Sequence, residues 1–217
     1  MRASLPTMKR AFRQLPRDSI GGVKGGFTLI EVITVISILI ILAGILIPSI
    51  LSVQNRAKRA QTEALFGRIV NALTLYYQDH GGYPDFTGNS SNGDVIVDLN
   101  NSEHWRAFTE ILALSRPDGS AFENPENEPL INKFNLKRKR YFDLQLKELA
   151  SPGGTPELVD GFGNPNIVVV IDADLDLRIR EDNLPRSVGR DLRQPIVVYT
   201  RNTARSNFPE IASWDSY

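Results

Sequence analysis

The sequence predicts an α+β protein, a long N-terminal helix running into a small globular head with a short antiparallel β-sheet. Three observations predict it. From Phe27 to Val53 the only charged residue is Glu31, and roughly 20 apolar residues suffice for a helix to cross a bilayer. Beyond that run, apolar residues recur at spacings of three and four as far as Tyr76 and Tyr77. Nearer the C-terminus, the β-branched runs Ile167–Ile171 and Pro195–Thr200 read as antiparallel partners.

The expected organisation is a basic leader (1–26), the transmembrane half of the long helix (27–52), its amphipathic half (53–80) and a globular head (81–217). The apolar run is too long for a signal peptide, and its small-residue pair lies before it rather than after. A soluble core helix would be amphipathic rather than apolar all round. A plain signal anchor fits the hydropathy but leaves Glu31 and the Gly26-Phe27 junction without a role. In the amphipathic half, Ala57, Ala60, Ala64, Leu65, Ile69, Leu73 and Tyr76 or Tyr77 form the stripe, with Arg56, Lys58, Arg59, Gln61 and Arg68 between. Gly81-Gly82 and Pro84 supply the stop. A helix from Phe27 to Asp79 would be roughly 80 Å long. Within it, Pro48 lacks the N–H that would bond the Gly44 carbonyl, so a kink or local melting is expected there.

The formal net charge is zero, but the leader holds six basic residues against Asp18, so removing it leaves a chain of net charge −5. An acidic exterior argues against a nucleic-acid partner. Met8 is an alternative start that keeps the same junction. There is no cysteine, so the head must rely on its core, on a bound ion or on neighbouring chains.

A carboxylate within a membrane segment is costly and points to function. Cleavage between Gly26 and Phe27 would create an amine one helical turn from Glu31, and the positive end of the helix dipole favours a carboxylate there. Gly26-Phe27-Thr28-Leu29-Ile30-Glu31, behind a basic leader, resembles the processing site of type IV pilins and type II secretion pseudopilins. The resemblance implies a prepilin peptidase that cuts after Gly26 and methylates Phe27, with Glu31 guiding docking of subunits. It also implies loss of helical regularity between Gly44 and Pro48 in the filament. Tyr83-Pro84 after the helix, and Asp160-Gly161-Phe162-Gly163-Asn164-Pro165 with Phe162 in place of a tryptophan, resemble the major pseudopilins. So does the lack of cysteine, since many type IV pilins carry a disulfide.

In the head, Val95, Val97 and Leu99 alternate, and 103–114 is expected as a helix capped by Ser102 that buries Trp105, Phe108, Ile111 and Leu112. Arg116–Gly119 is a turn, 124–128 a loop, and Lys137–Arg140 a basic cluster expected as a solvated face. Leu144, Leu146 and Leu149 are expected in the core. Asp172, Asp174 and Asp176 form the one cluster suited to a metal, and two arrangements are open. A curled loop would gather carboxylates for calcium, which the major pseudopilins bind in a C-terminal loop. An extended strand would place them on one solvated face opposite Ala173, Leu175 and Leu177. Leu177 stands where an EF-hand-like loop wants glycine.

His80 and His104 lack metal-ligand spacing, and no nucleophile elbow or phosphate loop occurs. The chain reads as a peptidase substrate rather than an enzyme. The resemblance implies a structural subunit of a periplasmic pseudopilus acting in protein export by type II secretion. It would be held in the bacterial inner membrane, N-terminus cytoplasmic and head periplasmic, before extraction into the filament. Its partners would be the prepilin peptidase, other copies and other pilin-like subunits, the inner-membrane assembly platform and the lipid bilayer. The alternatives are a type IV pilin or minor pilin in adhesion, motility or DNA uptake, and a membrane-tethered binding domain.

Overall fold

The computed structural model describes residues 26–88, 93–151, 156–201 and 208–216. The leader up to residue 25 lies outside them. Helix α1 spans Leu29–His80, and the contacts divide the chain into two units, Met1–Ile47 and Pro48–Tyr217.

The described part of the first unit is the start of α1 with the three residues before it. Every described side chain here is exposed, including Phe27, Ile30, Ile40 and Ile45. The segment is long and apolar enough to cross a bilayer. Thr34 and Ser37 bond within the helix, Thr34 Oγ1 donating to the Ile30 carbonyl (2.7 Å) and Ser37 Oγ to that of Ile33 (2.8 Å). Neither therefore carries an unmet bond into an apolar solvent. The backbone is helical at Gly44 and Pro48; the irregularity expected there concerns the assembled filament.

The second unit is built on the rest of α1, whose buried face is Thr62, Leu65, Phe66, Ile69, Ala72, Leu73 and Tyr76. Ala57, Ala60 and Ala64, expected in the apolar stripe, are exposed; the buried face begins at Thr62, and Ala64 lies off that face. The helix ends as expected: Gly81 takes a positive φ of 73° and its N–H bonds the Tyr77 carbonyl. Strands β1 (Val95–Asp98), β4 (Ile167–Ile171) and β5 (Ile196–Thr200) form an antiparallel sheet in the order β1-β4-β5. Its register pairs Val95 with Ile171 and Ile171 with Ile196. Between them in the chain, β2 (Leu149–Ala150) and β3 (Glu157–Leu158) make a separate two-stranded pair.

Strand β4 is central and buried on both faces, which is why it reads as an unbroken β-branched run. Ile167, Val169 and Ile171 join the core around α1. Val168 and Val170 face a second cluster with Ile179, Leu184, Leu192, Tyr199 and Ala212.

Several expectations are corrected. Helix α2 (Ser102–Phe108) is capped by Asn101, whose side chain accepts from the N–H groups of Glu103 and His104, not by Ser102. It continues as a π-helical turn, Thr109–Ala113, and Trp105, Phe108, Ile111 and Leu112 are buried as expected. The 124–128 loop contains a 3₁₀ turn that leads into α3 (Pro129–Phe134), a helix too short to show periodicity. Leu146 is exposed rather than core, while Leu144 and Leu149 pack against the core. The extended strand considered for 171–180 is not formed. The chain leaves β4 at Ile171 and curls, Leu175 and Leu177 taking positive φ of 61° and 62° with exposed side chains.

The 160–165 turn locks the head to α1. The Gly161 N–H donates to Thr62 Oγ1 (3.1 Å), and a Cβ at Gly161 would overlap the carbonyl oxygen of Lys58. Gly161→Ala should therefore cost about 2–3 kcal/mol and lower the melting midpoint by several degrees. Denaturation of the full chain in detergent, followed by the fluorescence of buried Trp105, checks this; an unchanged midpoint would contradict the packing.

Candidate functional site

Gly26 and Phe27 lie before the first turn of α1, outside any helix or strand, both exposed, Phe27 at 87 %. A protease can reach this junction without unwinding the helix. Glu31 closes a reciprocal cap with Thr28: its Oε2 accepts from the Thr28 N–H and hydroxyl (both 2.8 Å), while Thr28 Oγ1 accepts from the Glu31 N–H (3.3 Å). This is a capping box, Thr-x-x-Glu. The carboxylate thus terminates the helix in addition to any role between chains, and that spacing in the sequence was the signal for it. The built position of a Cβ at Gly44 meets no atom within 4 Å.

At the other end of α1, Asp79 binds Lys139 (2.7 Å), Lys137 (3.1 Å) and the Tyr141 hydroxyl (3.0 Å). His80 Nε2 lies 3.1 Å from the same hydroxyl and its ring stacks on Tyr76. Lys139, Lys137 and Tyr141 hold the Asp79 carboxyl far below its ordinary range. Burial, with Asp79 beside it, raises the Tyr141 hydroxyl, and burial lowers His80. Half of the basic cluster is therefore tied to the helix end, Tyr76 is buried, and Tyr77 packs on Tyr83 at 4.9 Å.

In the 160–165 turn, Asp160 Oδ1 accepts from the N–H groups of Phe162 and Asn164 (both 2.8 Å). Its Oδ2 is buried without a partner among the described residues, and burial raises its pKa. Phe162 packs on the core beneath Lys58.

The acidic loop brings together Asp94, Asp172 and Asp174, whose nearest carboxylate oxygens lie within 4.8 Å of one another. Asp176 is not in that group; its Oδ1 accepts the Arg178 N–H at 2.7 Å. Asp172 is fully buried beneath the loop, its oxygens accepting from the N–H groups of Asp176 (3.2 Å) and Leu177 (2.7 Å). Burial and the neighbouring Asp174 raise its pKa. Asp94 Oδ1 is buried with no hydrogen-bond partner among the described residues. An all-oxygen set with an orphaned carboxylate oxygen fits a hard divalent cation. Arg180, 2.9 Å from Asp174 and 3.6 Å from Asp176, supplies positive charge from within the chain. Asp94 has no sequence signal, being an isolated acid that β1 brings alongside the end of β4.

A long apolar N-terminal helix followed by a small head with an antiparallel sheet defines a pilin-like α+β protein. Over 74 residues the chain is 40 % identical to the type IV wide pilus major component PilA4 of Thermus thermophilus, a stretch covering 34 % of this chain and 52 % of that one. The chain spans about half the length of this curated relative, and the matched stretch is similar to a type IV pilus component. That relative is a pilus component, which favours the pilus alternative over the secretion reading drawn from the sequence. No family model and no solved structure matches the chain.

Because Asp79 is ionised more readily in the folded state, its contribution is present above the ordinary carboxylate range and lost as pH falls through and below it. The stability gap between the wild type and Asp79→Asn should hold constant from neutral pH down to about 5 and close below about 4. Denaturant melts across that series check it; a gap that closes near neutrality would contradict the assignment.

Proposed function

We propose that the chain is a structural subunit of a type IV pilus-like filament, made as a precursor, cut after Gly26 and methylated at Phe27. The observation that carries this reading is the Gly26–Glu31 motif, exposed at the head of the apolar half of α1, whose side chains up to Ile47 are all exposed. The helix stores the subunit in the inner membrane, N-terminus cytoplasmic and head periplasmic, until an assembly platform extracts it. In the filament the same apolar surface packs on other copies and other pilin-like subunits. Glu31 faces the amine of a neighbouring Phe27, and the helix loosens between Gly44 and Pro48, where one backbone bond is already missing. The chain acts by assembly rather than by catalysis. A secretion pseudopilus is the second reading, supported by the 160–165 turn, the Tyr83-Pro84 pair and the lack of cysteine.

Glu31 variants test the docking role. Glu31→Gln keeps an acceptor for the Thr28 N–H and so preserves most of the cap, but removes the charge. Both Glu31→Gln and Glu31→Ala should abolish filaments seen by electron microscopy while the chain stays in the membrane. Filaments formed normally by Glu31→Gln would confine Glu31 to capping.

We also propose that Asp94, Asp172 and Asp174 hold calcium, which would fasten the acidic loop to β1. Calcium should raise the melting midpoint of the full chain in detergent, chelator should reverse this, and Asp94→Asn should remove the effect. No shift with calcium would eliminate the site.

A further inference from the structure

Two exposed loops of the head share one construction and carry opposite charge. The first, Leu136–Arg140, holds four basic residues in succession, with Leu136 75 % exposed. Beneath it Asn135 is fully buried. Its Nδ2 donates to the carbonyls of Ile111 (2.7 Å) and Lys139 (2.8 Å), and its Oδ1 accepts the Lys139 N–H (3.1 Å). The second runs from Asp172 to Asp182, with five carboxylates against two arginines, and exposes Leu175 and Leu177. Beneath it lies the buried Asp172, which holds the N–H groups of Asp176 and Leu177. Each loop is therefore fixed from below by one buried polar side chain and presents leucine beside charge, a preorganised surface that loses little freedom on contact.

The two loops are tied to different elements of the head. The basic one reaches the helix through Asp79 and through Tyr141, whose ring meets those of Tyr76 and His80. The acidic one is tied to the start of β1, where Asp94 Oδ2 accepts the Arg180 N–H (2.8 Å).

We infer that these loops are the two halves of a contact between copies of this chain, the basic Leu136–Arg140 loop of one subunit docking on the acidic Leu175–Leu177 loop of the next. Different patches of the same chain meeting head to tail make a heterologous contact, and one that does not close propagates as a helical filament. This rests on the filament reading above and adds which surfaces of the head join. Arg140, which has no ion pair among the described residues, and Asp176, which lies outside the proposed calcium ligands, are the natural opposing charges. Such pairs steer and register subunits and weaken as salt is added.

Charge reversal in the full chain tests it, with filaments sheared from cells and quantified. Arg140→Glu and Asp176→Lys should each lower the yield about tenfold, since like charges brought together oppose docking, and the double variant should restore it. Filaments unaffected by either single reversal, or single losses that the double variant fails to restore, would overturn the pairing. Because the chain has no cysteine, a Leu136→Cys, Leu175→Cys double variant gives an independent readout. Mild oxidation of its filaments should yield a ladder of covalent multimers, and monomers alone would contradict the contact even if a charge variant misfolded. A wild type that forms no filament at all overturns the filament reading and this contact together, whereas filaments indifferent to these changes overturn the contact only.

Discussion

Burial of one stripe of α1, from Thr62 to Tyr76, is the constraint on which the head depends. Phe66, Ile69 and Leu73 are fully buried, and each such side chain contributes about 1.5–3 kcal/mol when removed from water. They fill the space under Ile167, Val169 and Ile171, so the central strand and the helix must be placed together for either to be covered. The other elements follow from that pairing. The π-helical turn brings Ile111 and Leu112 into the same core, and Leu112 offers its carbonyl to the N–H groups of both Tyr141 and Phe142. Gly161 closes the opposite side against the Lys58 carbonyl, where any larger residue would push the turn off the helix.

Glu31 carries two demands that a single carboxylate can meet in sequence. In the chain as it stands, its Oε2 satisfies the N–H and hydroxyl of Thr28, groups that the first turn of a helix otherwise leaves unpaired. Without that cap, both the charge and the open donors would be costly at the edge of a bilayer. Cutting after Gly26 would introduce a cation one residue before Thr28, next to a carboxylate already held in place. The proposed docking thus starts from an ordered acceptor rather than a mobile one.

The sequence made legible what short-range physics decides. Periodicity and the Gly81 stop placed α1, and the β-branched runs placed β4 and β5 as partners. It misled where tertiary contact overrode pattern. Ala57, Ala60 and Ala64 have the right spacing, but the buried face begins at Thr62 and Ala64 lies off it, and the alternation after Ile171 suits a strand. That strand has no neighbour to pair with, because Asp172 draws two backbone N–H groups onto its own carboxylate and bends the chain. Asp94 could not be foreseen as part of the acidic site, since only the β1–β4 register brings it there. Thr28 and Asn101 were readable as caps, one in a Thr-x-x-Glu box and the other an asparagine before the first turn, but each was overshadowed by a more conspicuous neighbour.

The central claim is that the exposed apolar helix belongs to a processed filament subunit, and the intact mass of the chain recovered from membranes of producing cells tests it most directly. The expected product is a chain that begins at Phe27 and carries one added methyl group on its amine. A membrane-held chain that keeps its leader, or one cut downstream of the apolar run, would contradict it.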